Sequence, residues 1–287
     1  MNETKGTLIP IGGNEDKGHD EDNDSSDLDF IEEGILAHVV RESGGETARI
    51  IVVPTASSIP DEVGQNYLDA FAKLDCSDVT VLKLTKSSQC ELPENLELLS
   101  NADCVMFSGG DQSKIAKVIG GTSWHDLLVS KYHNEDFVIA GTSAGAMAMA
   151  QEMIAGGSST EAMLKGAVQL RNGLGLIPGL IVDTHFIRRG RFGRLAEAVA
   201  IHPEVLGIGL AEDTGLIIKN SNEFRVIGSG MVIVMDARNL THNAHGELKD
   251  GTPMSISNLT THILANGDEF TLSDRKIHVL PIHEKFV

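Results

Sequence analysis

The sequence predicts an α/β protein: a doubly wound, mainly parallel sheet with helices on both faces and an antiparallel C-terminal extension. Three observations carry that expectation. Strand-like and helix-like segments alternate up to about residue 205. The strand-like segments are continuous apolar runs rather than alternating ones, as strands covered on both faces require. Beyond residue 205 the texture changes to short strands separated by turns.

Taken in order, Thr7 to Ile11 is an apolar run that ends in Gly12-Gly13. Leu28, Ile31, Ile35, Leu36 and Val39 then fall on one helical face, and Gly44-Gly45 stops that helix. Ile50 to Val53 reads as a buried strand ending at Pro54, residues 61–74 as a helix, Val79 to Leu84 as a strand and residues 93–100 as a short helix. Cys104 to Phe107 is a strand running into SGGDQ, and Asp111 to Ile119 is helical. Phe137 to Ala140 is a strand, and an alanine-rich helix over Ser143 to Met153 follows it. Leu206 to Leu210, Gly215 to Ile218, Glu223 to Ile227 and Met231 to Met235 are short strands, with one or two more in His262 to Ile282; these are expected to extend the sheet with antiparallel strands. Without a low-complexity linker or a repeat, residues 1–287 read as one domain, with an acidic loop insertion at 18–27 and a β-rich extension at 221–287.

Composition narrows the function classes. The 287 residues carry a net charge of −18, with no basic patch to offset it, which argues against a nucleic-acid partner. Solubility is the plain explanation; a field that draws in a cationic substrate is the more specific one. The acidic stretch GHDEDNDSSD lacks the glycine and terminal glutamate of a calcium loop. No apolar run is long enough for a membrane span, and MNETKGTLIP lacks the layout of a signal peptide. Cys76, Cys90 and Cys104 form neither a metal spacing nor an even disulfide set, so a reducing, cytoplasmic setting is expected, with no metal and no cofactor.

Ligands of open α/β sheets gather at the carboxyl ends of strands. Three glycine-rich turns end strands here: GGNED at 12–16, SGGDQ at 108–112 and GTSAG at 141–145. GTSAG has the G-x-S-x-G form that holds a serine on a sharp strand-to-helix turn, with Gly141 letting the chain turn and Gly145 keeping the helix start close to the sheet. Ser143 is therefore either part of a tight turn or a nucleophile. A nucleophilic serine needs a base, and His185, after an apolar strand in IVDTHFIRRGRFGRL, is either a loop histidine or that base. Glu212 in GIGLAEDTG, with Asp213 as competitor, would orient it. The order Ser, His, Glu differs from the Ser, acid, His order of α/β-hydrolases. Backbone N–H groups of Ala144 and of Gly109 or Gly110 are expected to form the oxyanion hole, and Gln112 to reach the substrate. Arg188, Arg189, Arg191 and Arg194 suit bidentate capture of carboxylates, or else a solvated helix face paired with nearby acids.

IGGNEDK, FSGGDQ, GTSAGA, GLGLIPG followed by DTHF, RRGRFGRL, GIGLAEDT and IGSGMVIVMDA occur in this order from residue 9 to about residue 236. Together they resemble the cyanophycinase group of serine peptidases, peptidase family S51. The resemblance implies a flavodoxin-like fold of the class I glutamine amidotransferase type, with Ser143 as nucleophile, His185 as base and Glu212 as its partner. It also implies Gln112, Thr184, Arg189, Arg191 and Arg194 at the substrate site, a homodimer, and no need for a metal. Thr184 stands where the family usually has glutamine, and Ala211 where it often has an acid. The implied activity is that of an exopeptidase on cyanophycin, a polyaspartate bearing arginine on each side chain, releasing β-aspartyl-arginine. An α-aspartyl dipeptidase or other isopeptidase, or a non-catalytic binding protein on the same fold, are the alternatives.

Overall fold

The computed structural model describes residues 4–18, 28–157 and 163–280. The acidic stretch, beyond Gly18, lies outside the described residues. The chain runs through β1 (Thr7–Ile11), α1 (Ile35–Glu42), β2 (Ile50–Val53), α2 (Pro60–Lys73), β3 (Val79–Val81), a 3-10 turn (Ser87–Glu91), α3 (Pro93–Asn101), β4 (Cys104–Phe107), α4 (Gln112–Ile119), α5 (Ser123–Asn134), β5 (Val138–Thr142) and α6 (Ala144–Ala148). It continues through β6 (Glu152–Gly157), β7 (Val168–Asn172), β8 (Leu180–Asp183), α7 (Phe192–Ile201), β9 (Leu206–Leu210), β10 (Thr214–Lys219), β11 (Glu223–Gly228), β12 (Val232–Asp236), β13 (His242–Asn243), β14 (Ile256–Ser257), β15 (Thr260–Leu264), β16 (Glu269–Thr271) and β17 (Ile277–His278).

The main sheet has nine strands in the order β17-β16-β11-β10-β1-β5-β4-β2-β3. From β1 to β3 the pairs are parallel; from β1 outward through β10, β11, β16 and β17 they are antiparallel. Alternate strand residues explain the layers. Ile9, Ile11, Ile50 and Val52 pack on one face with residues of α1 and α2, while Leu8, Ile51, Val53 and Ile139 pack on the other with α3, α4, α5 and α6. Both faces are covered, so the strands read as unbroken apolar runs.

Four expectations are corrected. The first helix begins at Ile35, not near Leu28, because the Asp29 carboxylate accepts from the N–H groups of Ile31 and Glu32 at 2.9 Å each and holds a local turn. The third strand stops at Val81, where its pairing with β2 ends. The helix after Ser143 stops at Ala148, because the carbonyls of Ala148, Met149 and Ala150 accept from the N–H groups of residues 174–177. Finally, β9 and β12 leave the main sheet and join β8 and β15 in a second sheet of order β15-β12-β9-β8. One face of that sheet, with Ile181, Ile233 and Met235, packs on Leu195, Ala198 and Val199 of α7. Its other face, with Val182, Ile208 and Val234, joins the main core. Residues of α5, passed over in the sequence, bury Trp124, Leu128 and Tyr132.

Candidate active site

Sheet order assembles the site. Strand β5 lies between β1 and β4, so the turns GGNED, SGGDQ and GTSAG end neighbouring parallel strands. In the second sheet β8 and β9 run parallel and deliver His185 and Glu212 past their carboxyl ends, while the other pairs there are antiparallel. Within the main sheet the N–H of Ser143 donates to Ile11 O at 2.9 Å, and the two sheets are tied where their ends meet by the N–H of His185, which donates to Gly12 O at 2.8 Å.

Ser143 takes φ 51° and ψ −107°, a conformation costly for any residue with a Cβ. The turn's strain therefore sits on the serine itself. Gly141 and Gly145 allow close packing instead: a Cβ on Gly141 would lie 2.8 Å from the Gly145 carbonyl carbon, and one on Gly145 would lie 2.6 Å from Phe107 O. Gly141 thus serves the approach of strand and helix rather than the turn.

Ser143 Oγ lies 3.0 Å from His185 Nε2, and His185 Nδ1 lies 2.6 Å from Glu212 Oε1. The other Glu212 oxygen, Oε2, accepts from Arg188 at 2.8 Å. Burial pulls the His185 pKa below its usual 6.5, and the Glu212 hydrogen bond only partly opposes this. Partial burial pushes the Glu212 pKa up, but hydrogen bonds from Arg188 and His185 outweigh it and hold the carboxyl below its ordinary value. Glu212, not Asp213, meets the imidazole; Asp213 accepts from Ser229 Oγ at 2.6 Å and from the Asp16 N–H at 3.2 Å. Gly13, at φ 103°, lies flush against the imidazole, where an added Cβ would be 2.5 Å from the ring.

A hydroxyl bonded to an imidazole whose second nitrogen faces a carboxylate can lose its proton while attacking a carbonyl. Developing oxyanion charge then needs free N–H donors. Among the described residues, the N–H groups of Gly109, Gly110 and Ala144 have no acceptor. Gly109 is beside the serine, its Cβ position 3.4 Å from Ser143 Cβ, whereas Gly110 packs against Ala56.

The residues expected at the substrate site divide. Arg189 is exposed beside His185. Gln112 spends its amide N–H on Ile154 O at 2.6 Å and keeps its own oxygen. Arg191 donates from one terminal nitrogen to Asp183 Oδ1 at 3.1 Å and Thr184 O at 2.7 Å. Two expectations give way. Thr184 is fully buried, its hydroxyl 3.4 Å from Met147 Sδ, so it faces the interior and not a ligand. Arg194 is also buried; its Nε and a terminal nitrogen clasp both oxygens of Asp183 at 2.8 and 2.5 Å, which occupies the edge a substrate carboxylate would use. Three of the four clustered arginines therefore pair with acids. Sequence reasoning passed over Asp183, although an acid that ends an apolar strand just before four arginines is a legible signal. It also passed over Glu15, whose burial nothing in GGNED announces.

An α/β sheet carrying a strained serine, a histidine and a carboxylate in hydrogen-bonded sequence, with free N–H donors alongside, defines a serine-type peptidase. The sequence model of peptidase family S51 matches residues 26–226, and the chain belongs to that family. It is 35% identical over 274 residues to the cyanophycinase of Trichormus variabilis, covering 96% of this chain and 88% of that one. It is 33% identical to the cyanophycinase of Geminocystis herdmanii, covering 96% and 95%. Among solved structures, a peptidase from an acI-B1 Actinobacterium superposes with a TM-score of 0.59 at 19% identity, covering 91% of this chain and 99% of that one. A putative peptidase E protein from Listeria monocytogenes gives 0.50 at 15% identity, covering 78% and 98%. Both share the class I glutamine amidotransferase-like fold.

Proposed function

We propose that this protein is an exopeptidase that hydrolyses cyanophycin to β-aspartyl-arginine through an acyl-enzyme on Ser143. The observation that carries the chemistry is the chain of contacts from Ser143 Oγ to His185 Nε2 at 3.0 Å and from His185 Nδ1 to Glu212 at 2.6 Å. Ser143 Oγ attacks the scissile carbonyl carbon as its proton passes to His185 Nε2. The N–H groups of Gly109 and Ala144 take the oxyanion. Collapse breaks the amide bond, and His185 returns the proton to the leaving amine. Water, deprotonated by His185, then cleaves the ester and frees Ser143. Glu212 holds the Nδ1–H and stabilises the imidazolium.

The substrate class rests on the cyanophycinase relatives and on charge. Arg189 and the unused edge of Arg191 suit the free α-carboxylates of the arginyl branches, and the net charge of −18 favours a guanidinium-bearing chain. Incubation of the purified protein with cyanophycin, with products weighed by mass spectrometry, tests this. Release of β-aspartyl-arginine, abolished in Ser143→Ala at unchanged melting temperature, is the expected result. Turnover of α-aspartyl dipeptides with cyanophycin left intact would replace the substrate, and full activity in Ser143→Ala would replace the nucleophile.

A further inference from the structure

Glu15 is a carboxylate that the chemistry above does not use, yet it is only 3% exposed. Its Oε1 accepts from Tyr67 OH at 2.5 Å and lies 3.0 Å from Lys17 Nζ; its Oε2 accepts from Thr142 Oγ1 at 2.5 Å. Three donors on one buried carboxylate form a fully partnered hub, since a buried charge without partners is costly. Thr142 is the residue before Ser143 and is itself buried.

The other end of the hub is the loop 12–16, which touches the remaining two side chains of the proposed triad. Gly12 O accepts from the His185 N–H at 2.8 Å, and Gly13 backs the imidazole so closely that a Cβ would lie 2.5 Å from it. Gly13 O accepts from the Asp213 N–H at 2.9 Å, and Asn14 Nδ2 donates to Glu212 Oε2 at 3.5 Å. The nucleophile leaves the main sheet on β5, whereas the base and the acid leave the second sheet on β8 and β9. Their relative placement needs a tie between the two: loop 12–16, which continues β1 of the main sheet, makes that tie through its contacts to His185, Glu212 and Asp213, and the Thr142–Glu15 contact fixes the loop to the end of β5.

We infer that Glu15 is a positioning residue for the hydrolytic reaction: by clamping loop 12–16 to Thr142, it sets the contact between Ser143 and His185. This rests on the reading of Ser143 as nucleophile, so the test separates the two. An organophosphorus fluoride reports on serine reactivity independently of the peptide substrate. Ser143 Oγ bonds to phosphorus, fluoride leaves with the P–F bond, and the hydroxyl proton passes to His185.

Labelling of the wild-type protein but not of Ser143→Ala is expected first; an unlabelled wild type would overturn the nucleophile reading and this inference with it. Given labelling, Glu15→Gln and Thr142→Val should each slow phosphorylation and kcat about 10- to 100-fold while KM changes by less than about twofold, as for a displaced reacting pair. Thr142→Ser, which keeps the hydroxyl, should label at a rate within about threefold of wild type, and the double variant Glu15→Gln/Thr142→Val should be no slower than the slower single variant. Wild-type labelling rates in folded Glu15→Gln and Thr142→Val, with only the melting temperature lowered, would overturn the positioning role. If Glu15→Gln does not fold, the threonine pair decides alone: a slow Val variant beside a normal Ser variant supports the inference, and two normal ones overturn it.

Discussion

Arg194 closes a two-pronged ion pair on Asp183 inside the protein, with Nε and a terminal nitrogen on the two carboxylate oxygens at 2.8 and 2.5 Å. Asp183 ends β8 two residues before His185, and Arg191 adds a third bond to the same carboxylate at 3.1 Å. The pair is thus a brace beneath the segment that carries the histidine.

Removing that brace should show as lost stability rather than as weaker substrate binding. Arg194→Leu leaves the buried Asp183 carboxylate with Arg191 as its one cation and the Thr184 N–H as its other donor, and should cost about 3 kcal/mol in urea unfolding. Arg189→Ala, at an exposed guanidinium, should leave the unfolding midpoint unchanged and raise KM. An Arg194→Leu protein that unfolds like wild type but binds substrate poorly would return Arg194 to the substrate site.

The rate should fall on the acid side through a pKa below 6.5. Burial disfavours the His185 imidazolium, so the neutral base that Ser143 requires persists to lower pH than for a free histidine. Glu212→Gln removes the carboxylate charge that opposes this burial and leaves at most a weaker, neutral hydrogen bond, so the residual acid limb should move to still lower pH as kcat drops about 10³- to 10⁴-fold. Profiles of kcat/KM against pH for both proteins provide the check, and an acid limb above 6.5 in the wild type would contradict the assignment.

The strained serine should be measurable as stored energy. At φ 51° and ψ −107°, Ser143 occupies a region that glycine enters freely. Ser143→Gly should therefore be more stable than Ser143→Ala by about 1 kcal/mol, both being inactive. Equal unfolding free energies would show that the turn stores no strain.

His38 should make the fold lose stability in mild acid. Burial first, and the nearby Arg41 and Arg225 second, lower its pKa to about 4. The unfolded chain binds the proton near pH 6.5, so unfolding takes up a proton between about 6.5 and 4 and stability falls as pH drops through that window. His38→Gln should reduce this loss by up to about 1.4 kcal/mol per pH unit. Urea titrations at pH 7 and pH 4.5 compare the two, and identical losses would remove His38 as a contributor.

The sequence by itself determined the succession along the chain of the covered strands and of the turns that end them. Covered parallel strands must be continuous apolar runs, and β1, β2, β4 and β5 announce themselves that way. The glycine turns were legible too, because chain reversals at strand ends leave a compositional mark. Helix α5 also had its mark in Trp124, Leu128 and Tyr132 at four-residue steps, but interleaved polar residues obscured it. Tertiary structure alone decided where each strand went and which way each side chain faced. β8, β9, β12 and β15 left for a second sheet because α7 and the main core offered them two apolar faces at once. Arg194 and Thr184 turned inward, and Glu15 became a buried hub, because their partners Asp183, Met147, Tyr67 and Thr142 come from other elements. Pairing of that kind depends on distances in the folded chain, which spacing along the sequence does not encode.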